Sequence, residues 1–548
     1  MKKLLAFLLL GSSLTAAAQT HADTLQLLRS TAGLYDLDFS DAEADSMIAN
    51  IAAWKRIYVN LHKQLPPNDL AYPFAFQPAP AGTVIPAKQQ PVTWTLPAPV
   101  VPKNREDLAF YSLPQLASLI KNKKISSVEL TQFFLGRLKK WGDTLESVIT
   151  LTEELALREA RQADAEIKAG KYRGLLHGIP YGLKDLFAVR GYKTTWGSTP
   201  YKDQVIDEEA YVYKKLRDAG AVLCAKLSLG ALAFNNKWFG GETKNPWNLK
   251  QGSSGSSAGS ASSVVAGLLP FTIGTETLGS IVSPSTRCGA TGLRPTFGTI
   301  SRSGAMVLSW SLDKAGPICR NAEDDAIVYY YLKGTDGKDA GSVDHAFNYH
   351  PKRDPKKLRI AYAENYFRRL PKDAPEWKVL EAYKAMGLTL TPVTFPDSAV
   401  YNANLVSIIL NAESAAAFDE LTRTNRDDLI EIQEKYFWPN SFRSARLIPA
   451  VEYINANRWR SKLAADVQSF MKNWDVVITP TFAGNQLSIT NLTGNPVVCM
   501  PIGFSPQGNP LSITLVGRLY DEASILEAAK AYQDKTDHHK KHPEKFLR

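Results

Sequence analysis

The stretch from Gly252 to Pro317 constrains the fold and the chemistry of this chain more than any other. It opens with the tract GSSGSSAGSASS, which is too rich in glycine and serine for a regular element. A small, apolar helix pattern over 258–269 and a short apolar strand over 271–273 follow. Such tracts bring backbone N–H groups and small hydroxyls close to a ligand. Because this tract is embedded between predicted elements, we interpret it as a functional loop and not as a linker.

The residue types suggest a chemistry of serine hydroxyls in which a lysine could act as the base. None of the eight histidines lies in this stretch, so a Ser-His-Asp triad would need a distant partner. A lysine can act as the base when burial lowers its pKa towards neutrality. Lys184 lies in the apolar run LLHGIPYGLKDLF, where a charge is costly unless it is paired. Two interpretations stay open, a neutral base or an ordinary ion pair with the adjacent Asp185.

Several sequence blocks then follow one another in a fixed order. They are LHGIPYGLKD, TKNPWNLKQGSSGSSAGSA, GTETLGSIVSPSTRCGATGLRPTFG and SLDKAGPICRNAEDDA, followed by DVVITPT, NLTGNPVVCMPIGF and PLSITLVGRLYDEASILEAAKAYQ. Over residues 106–535 the chain resembles the amidase signature family. The resemblance implies an α/β/α sandwich with a large mixed β-sheet surrounded by helices, here with an N-terminal helical extension. It also implies a Ser-Ser-Lys triad that cleaves amides through an acyl-enzyme without a metal or cofactor.

The resemblance assigns the catalytic triad to Lys184, Ser256 and Ser280. Lys184 matches the lysine of the block G-x-P-x-x-x-K-D, and Ser280 matches the serine that ends T-D-T-G-G-S. Seven serines lie between positions 253 and 263, and Ser256 is selected because it precedes Ser280 by 24 residues, the spacing that the family keeps. In the family, this serine lies at a cis peptide bond and relays the proton of the nucleophile to a neutral lysine.

The resemblance also places the groups that stabilise the oxyanion at the turn Thr277, Leu278, Gly279 and Ser280, with Ser257 as a hydrogen-bonding support. The chain departs from the family pattern at Ser254, Ala258 and Leu278, which replace glycines, at Glu276, which replaces an aspartate, and at Val282, which replaces an arginine. Leucine does not easily take a positive φ. If the turn needed one at Leu278, the oxyanion site would be distorted.

Residues 1–18, MKKLLAFLLLGSSLTAAA, have the pattern of a secretory signal peptide, with two lysines, a short apolar run and an A-x-A ending. An uncleaved anchor is the alternative. No later apolar run is long enough for a membrane helix, so we expect a periplasmic or secreted protein. Residues 19–105 are predicted to be a helical extension followed by a proline-rich belt over 64–103, and residues 106–548 the amidase signature domain.

Two helix patterns occupy residues 22–62, and a capping box at Ser40 and Glu43 begins the second. This segment resembles the small helical C subunit of tRNA-dependent amidotransferases, and an ordinary helical extension is the other interpretation. Residues 111–169 are predicted to be largely helical, with a capping box at Ser126 and Glu129. Buried strands are predicted over 222–226, 358–363, 388–393 and 476–479.

Segment 340–460 resembles the family least. Its aromatic residues fit either a substrate pocket or the core. They include Tyr401, Tyr436, Phe437, Trp438 and Trp459.

Composition limits the partners of the chain. Hydrophobic residues make up 44% of 548 positions, enough for a large core. Cysteines at 224, 288, 319 and 499 show no C-x-x-C spacing, so they are interpreted as buried thiols and no zinc site is expected. The net charge of +10 is spread along the chain, which favours solvated faces over nucleic-acid binding. We expect a small-molecule or peptide amide as substrate and a monomer or homodimer.

Two other motifs and two other functions are weighed against this hypothesis. Gly255–Gly259 fits the G-x-S-x-G nucleophile elbow with Ser257 at its centre, but an elbow needs a preceding strand, and NPWNLKQ is not predicted to form one. Ser311-x-x-Lys314 resembles a penicillin-binding-protein motif without its partner motifs. The A-type subunit of a glutamine-dependent amidotransferase is an alternative within the family. A catalytically silent binding protein on the same scaffold is an alternative of another class.

Overall fold

The computed structural model describes residues 21–63, 68, 70, 74–397 and 404–547. The chain divides into two compact units, Met1–Pro67 and Asn68–Arg548. The predicted signal peptide, residues 1–18, and Tyr401 lie outside the described residues. None of the described helices is long and apolar enough to cross a membrane.

The N-terminal unit contains two described helices, α1 over residues 21–33 and α2 over Asp41–Leu61. Ser40 N–H donates to Glu43 Oε2 at 2.8 Å, and Glu43 N–H donates to Ser40 Oγ at 3.4 Å. These two bonds form the predicted capping box and satisfy N–H groups that the first turn of a helix leaves without a partner.

The larger unit is built around one mixed β-sheet. Its strands are β1 (Val148–Leu151), β2 (Pro180–Lys184), β3 (Val222–Leu227), β8 (Phe271–Glu276), β9 (Thr291–Arg294), β10 (Lys314–Cys319), β11 (Ile360–Ala363), β12 (Leu390–Val393), β13 (Val476–Pro480), β14 (Val497–Phe504) and β15 (Pro510–Gly517). Two hairpins outside the sheet hold β4 (Lys237–Trp238), β5 (Gly241–Glu242), β6 (Lys244–Asn245) and β7 (Asn248–Gly252). The eleven strands of the sheet lie in the order β1-β3-β2-β8-β10-β9-β14-β15-β13-β11-β12.

Helices surround this sheet, which confirms the predicted α/β class with a large mixed sheet. They are α3 (Leu113–Lys121), α4 (Ser127–Leu145), α5 (Glu153–Lys168), α6 (Tyr211–Asp218), α7 (Ala258–Val265), α8 (Val282–Cys288), α9 (Ala322–Leu332), α10 (Glu364–Phe367), α11 (Pro375–Ala385), α12 (Asn404–Ala417), α13 (Asp419–Arg423), α14 (Trp438–Ala445), α15 (Ala450–Met471), α16 (Gln486–Thr493) and α17 (Glu522–Lys535). The predicted capping box at Ser126 and Glu129 begins α4.

The sheet brings distant parts of the sequence to one edge. Strand β2 is parallel to both β3 and β8, and Leu183 is in register with Ile273. All five residues of β2 are buried, as expected of a parallel strand covered on both faces. Because neighbouring parallel strands end at the same edge, Lys184 at the end of β2 lies beside the end of β8 and the turn that follows it.

Two predictions from the sequence differ from the structure. Helix α7 ends at Val265, four residues earlier than predicted, because Gly267 takes a φ of +66° that ends the helix. The region 111–169 is largely helical as predicted, with the strand β1 between its helices. The prediction that NPWNLKQ forms no strand is wrong, since Asn248–Gly252 is β7. However, β7 pairs with β6 outside the main sheet, whereas an elbow follows a strand of the main sheet.

The described part of the belt from residue 74 onwards packs on the larger unit without regular structure. Residues 74–104 form neither helix nor strand. Gln89 Nε2 donates to Phe347 O at 2.8 Å, and the ring of Trp94 stacks on Tyr349 with centroids 5.3 Å apart. Side-chain contacts therefore hold this proline-rich segment in place where a backbone ladder is absent.

Candidate active site

Lys184 is the last residue of β2 and is fully buried. Its Nζ lies 2.8 Å from Ser256 Oγ, 3.1 Å from Ser257 Oγ and 2.8 Å from Thr275 Oγ1. Thr275 belongs to β8, the parallel neighbour of β2. The sheet and the glycine-serine loop together therefore place Lys184 in direct hydrogen-bond contact with Ser256.

Burial controls the charge of Lys184. Loss of water around the amine lowers the pKa of Lys184 to about 7, and the carboxylates of Asp313 and Glu276 oppose this shift only in part. The adjacent Asp185 pairs elsewhere, with its Oδ1 2.6 Å from Lys226 Nζ and both side chains fully buried. The interpretation of Lys184 as an ion-pair partner of Asp185 is therefore wrong. A neutral amine is well populated at neutral pH.

The two serines in contact with Lys184 differ in the use of their hydroxyl protons. Ser257 Oγ donates to Thr275 O at 3.0 Å and accepts from Thr275 N–H at 3.1 Å. The hydroxyl proton of Ser257 is therefore already used in a hydrogen bond, and towards Lys184 the Ser257 oxygen can only act as an acceptor. Among the described residues, Ser256 Oγ has Lys184 Nζ as its hydrogen-bond partner and no other. Ser256 can thus give its proton to a neutral Lys184 while Ser257 holds the amine in place.

The backbone around Ser256 follows an unusual path. The Gly255–Ser256 peptide bond is cis, and Ser254 has a φ of +62°. This left-handed conformation costs a non-glycine residue roughly 1–2 kcal/mol, so the serine at 254 is a costly replacement for glycine. Ser257 N–H donates to Ser280 O at 3.1 Å. This bond places the segment that carries Ser256 directly beside the segment that carries Ser280.

Ser280 lies in the turn between β8 and α8. The positive φ of this turn falls on Gly279, at +86°, and not on Leu278, so the leucine does not distort it. Within the described part of the chain, no group accepts a hydrogen bond from the backbone N–H of residues 277–280. Ser280 is 7% exposed. The turn therefore combines a nearly buried hydroxyl with N–H groups that can bind an anion.

Glu276 holds the end of this turn that leads into α8. Its Oε2 accepts from the N–H groups of Ile281 and Val282 at 2.9 and 3.0 Å, at the start of α8. Its Oε1 accepts from Arg294 Nη1 at 2.8 Å and Asn491 Nδ2 at 2.9 Å. Although burial raises it, the charge of Arg294 and these hydrogen bonds lower the pKa of Glu276 to about 2. Sequence reasoning missed this residue, whose only signal was glutamate in place of aspartate.

Asp313 holds the start of the turn, at Thr277. Thr277 Oγ1 donates to Asp313 Oδ1 at 2.6 Å, and Asp313 Oδ2 accepts from the N–H groups of Leu308 and Ser309 at 2.8 and 3.0 Å. Because the hydroxyl of Thr277 is used in this way, its N–H is the group left for a ligand. The two carboxylates thus fix the turn from both sides without using its free N–H groups.

A cavity of about 120 Å³ lies next to the turn, and Thr275 and Thr277 are part of its wall. Thr275 also holds the amine of Lys184. The cavity therefore borders Thr277, which the resemblance assigned to the oxyanion turn, and Thr275, which contacts Lys184.

Other residues singled out from the sequence are engaged elsewhere. Ser311 Oγ donates to Glu413 Oε1 at 2.7 Å, and Lys314 Nζ donates to Leu312 O, so Ser311 and Lys314 are not hydrogen-bonded to each other. All four cysteines are buried free thiols. The part of the chain that the structure describes contains no group of three histidine, cysteine or acidic side chains that could hold a metal ion.

The aromatic candidates of segment 340–460 do not line this cavity in the described residues. Trp438 is 6% exposed and donates from Nε1 to Leu232 O at 3.0 Å, so it belongs to the core. Phe437 packs edge to face on Phe234 with centroids 5.2 Å apart. Tyr436 is 77% exposed and faces solvent.

The low pKa of Lys184 predicts a pH dependence. Only the neutral amine can accept a proton, and burial lowers its pKa to about 7, so kcat/KM is expected to rise tenfold per pH unit below pH 7 and to level above it. The measurement is kcat/KM for an amide between pH 5 and 9, with thermal unfolding followed at each pH as a control. A profile that stays flat down to about pH 4, where carboxylates titrate, would contradict lysine as the base.

Comparison with known proteins gives three findings. A family model described as Amidase matches residues 129–491. The A-type subunit of glutamyl-tRNA(Gln) amidotransferase from Acinetobacter baumannii is 33% identical over 484 residues, which cover 79% of this chain and 98% of that relative. The solved structure of native peptide amidase from Stenotrophomonas maltophilia matches with a TM-score of 0.69 and 28% identity, over 79% of this chain and 98% of its own.

A further solved structure comes from a vestigial protein complex linked to the evolutionary origins of an s-triazine catabolic enzyme. It matches with a TM-score of 0.71 and 25% identity, over 77% of this chain and 98% of its own. The similarity therefore extends over nearly the whole length of these proteins.

Proposed function

The chain belongs to the amidase signature family and is an amide-cleaving enzyme, and we propose that it acts on its own as a Ser-Ser-Lys amidohydrolase. The observation that carries this proposal is the contact of 2.8 Å between Lys184 Nζ and Ser256 Oγ, with the pKa of Lys184 lowered to about 7 by burial. A neutral amine in contact with a hydroxyl is a base placed for proton transfer. A protein that only binds its ligand has no need of such a pair.

Ser280 is the nucleophile in the proposed mechanism. Its Oγ attacks the carbonyl carbon of the amide, its proton passes to Ser256 Oγ, and the proton of Ser256 passes to Lys184 Nζ. Lys184 is then charged in a fully buried position, which favours return of the proton through Ser256. The leaving amine takes that proton as the C–N bond breaks, so the lysine acts first as base and then as acid.

The negative charge that develops on the carbonyl oxygen is held by the backbone N–H groups of residues 277–280. One such donor contributes on the order of 10²–10³-fold to kcat. The acyl group stays on Ser280 as an ester until water attacks it with help from the same relay. The products are a carboxylic acid and an amine or ammonia. The substrate is a small-molecule or peptide amide, and the chain acts as a monomer or homodimer.

The A-type subunit of a glutamine-dependent amidotransferase is the second candidate. It is supported by the names of the curated relatives and by the resemblance of residues 22–62 to a C subunit. Such a protein must hold the charged amino and carboxylate groups of glutamine. In the wall of the cavity, the guanidinium of Arg302 bonds to Asp339, and Asp313 bonds to Thr277. These internal pairs support an uncharged amide as substrate.

We also propose that the chain is exported. The support is the pattern of residues 1–18, with two lysines, a short apolar run and an A-x-A ending. Mass spectrometry of cell fractions is expected to find a mature N-terminus at Gln19 outside the cytoplasm, whereas a full-length chain in the cytoplasm would contradict export. An exported chain favours the free-standing hydrolase, because aminoacyl-tRNA is a cytoplasmic substrate.

The experiment that tests the proposed function measures ammonia release by the purified chain without a partner. Uncharged primary amides are expected to be hydrolysed, and L-glutamine is expected to react with a kcat/KM at least about tenfold lower. Activity on glutamine alone, or only with the B-type partner of an amidotransferase, ATP and glutamyl-tRNA, would favour the second candidate. If the chain neither hydrolysed an amide nor formed a fluorophosphonate adduct, a catalytically silent binding protein would be the remaining candidate.

A further inference from the structure

The cavity beside Thr275 and Thr277 has an apolar inner wall. That wall is formed by Leu186, Phe187, Ala305, Met306, Leu308 and Ala315. Five of these residues, Leu186, Phe187, Met306, Leu308 and Ala315, are no more than 6% exposed. Apolar surface of this kind attracts an apolar group of a ligand from water.

The charged groups around the cavity are engaged within the protein. Arg302 Nε and Nη2 each donate to Asp339 at 2.8 Å, and Arg302 Nη1 donates to Trp310 O at 2.8 Å. Lys314 Nζ donates to Leu312 O, and burial lowers the pKa of Lys314 well below its usual range. Lys338 is exposed at the rim. A charged ligand group would therefore find no free counter-charge in the described interior of the cavity.

The belt contributes the outer wall of the cavity. Phe74 and Ala75 line it, although they lie more than fifty residues before the start of the family match at residue 129. Asn68 anchors this part of the belt, because its Oδ1 accepts from Val307 N–H at 3.0 Å and its Nδ2 donates to Val307 O at 3.0 Å. Val307 itself lines the cavity. Asn68 thus ties this part of the belt to the pocket wall by a paired contact.

The size of the cavity sets the size of its occupant. An apolar cavity of about 150 Å³ accommodates benzene, and this one has about 120 Å³ and is open on one side. We infer that the substrate carries an uncharged apolar group of butyl to phenyl size that lies in this cavity, and that the belt limits its length through Phe74. The inference rests on the proposed function and names the class of amide.

The apolar group can belong to either side of the amide bond. The two sources are the acyl group, as in phenylacetamide, and the substituent on nitrogen, as in acetanilide. Two series of amides separate them, one with ammonia as the constant leaving group and one with acetate as the constant acid. Acetamide, common to both series, is the reference for each ratio of kcat/KM.

The full mature chain is expected to prefer one series. The kcat/KM for the butyl- or phenyl-bearing member should exceed that for acetamide by at least about tenfold, as is typical of a hydrophobic pocket. Ala305→Leu fills the cavity and should reduce this ratio by about tenfold. Ala465→Leu makes the same change on the exposed face of α15 and should not alter it. A ratio near one for wild type in both series, or a ratio unaffected by Ala305→Leu, would overturn the inference.

The belt has its own test. Phe74→Ala removes a ring from the outer wall and is expected to shift the preferred alkyl chain to a longer one. Phe504→Ala, at the end of β14, is the matched control and should leave the preferred length unchanged. An unchanged preference in Phe74→Ala would overturn the role of the belt.

A binding measurement separates this inference from the proposed function. Phenylacetamide and acetanilide are each added to wild type and to Ala305→Leu, and Tm is followed. If wild type cleaves neither amide but one of them raises its Tm and not that of Ala305→Leu, the cavity binds as inferred and the proposed function fails. If wild type cleaves acetamide and neither aromatic amide binds, the proposed function stands and the inference fails.

Discussion

Ser280→Ala is expected to lower kcat/KM for amides by on the order of 10⁴–10⁶-fold, the loss that follows removal of a nucleophile that acts as a unit with its base. The reason is that no acyl-enzyme can form without the hydroxyl. The structure places no other free hydroxyl in the turn, since the hydroxyl of Thr277 donates to Asp313 at 2.6 Å. The measurement is kcat/KM together with intact-mass labelling by a fluorophosphonate, which should give one adduct on wild type and none on Ser280→Ala.

The fold of this variant is expected to survive. The substitution removes one hydroxyl group from a residue that is 7% exposed, and the turn is still held by Glu276 and Asp313. The Tm of Ser280→Ala should therefore stay close to that of wild type. Ser257→Ala serves as the contrasting variant, because the elbow interpretation makes Ser257 the nucleophile. An adduct that persists in Ser280→Ala and disappears in Ser257→Ala would overturn the assignment of Ser280.

The positions of the candidate site could be predicted because they follow from block order and spacing. Local motifs assign Lys184 and Ser280, the spacing of 24 residues before Ser280 selects Ser256, and the structure brings Lys184 Nζ and Ser256 Oγ to 2.8 Å. The apolar run around Lys184 also indicated a neutral amine, since a buried charge without a partner is costly. The fold class followed from the same resemblance and is confirmed by the eleven-stranded mixed sheet.

The partners of these residues could not be predicted, because each comes from a remote part of the chain. Asp185 pairs with Lys226 across two parallel strands, and nothing in the local sequence distinguishes that pair from Asp185 with Lys184. In the sequence, Glu276 is only one substitution in a motif, whereas in the structure its carboxylate accepts hydrogen bonds from Arg294 and Asn491. Long-range pairs of this kind depend on strand register, which is not encoded in a local pattern.

The residues that line the cavity could be predicted even less from the local sequence. Proline-rich sequence over 64–103 predicted an extended belt, but it carried no period that would place Phe74 at a cavity near Thr275. The contact depends on Asn68 and on the backbone of Val307, 239 residues later. The chemistry of this chain is therefore encoded in its motifs, whereas the substrate preference inferred here depends on contacts that only the fold creates.

Lys184→Met is expected to affect amides far more than activated esters. The amine of an amide must be protonated as it leaves, and Lys184 supplies that proton through Ser256 in the proposed mechanism. A p-nitrophenyl ester releases a stable anion that needs no proton. We expect kcat/KM to fall by on the order of 10³–10⁴-fold for an amide and by about tenfold to a hundredfold for the matched p-nitrophenyl ester. The measurement is the ratio of the two losses in one variant.

Ser256→Ala completes this prediction, since it interrupts the same relay one step before Lys184. Its losses should match those of Lys184→Met on both substrates, and the double variant should lose little more than either single variant, because the two residues move the same proton. The Tm of each variant, measured alongside, shows whether a loss of activity comes from a loss of stability. Equal losses on amide and ester, or losses that multiply in the double variant, would contradict a proton relay and leave Lys184 as a support for the loop.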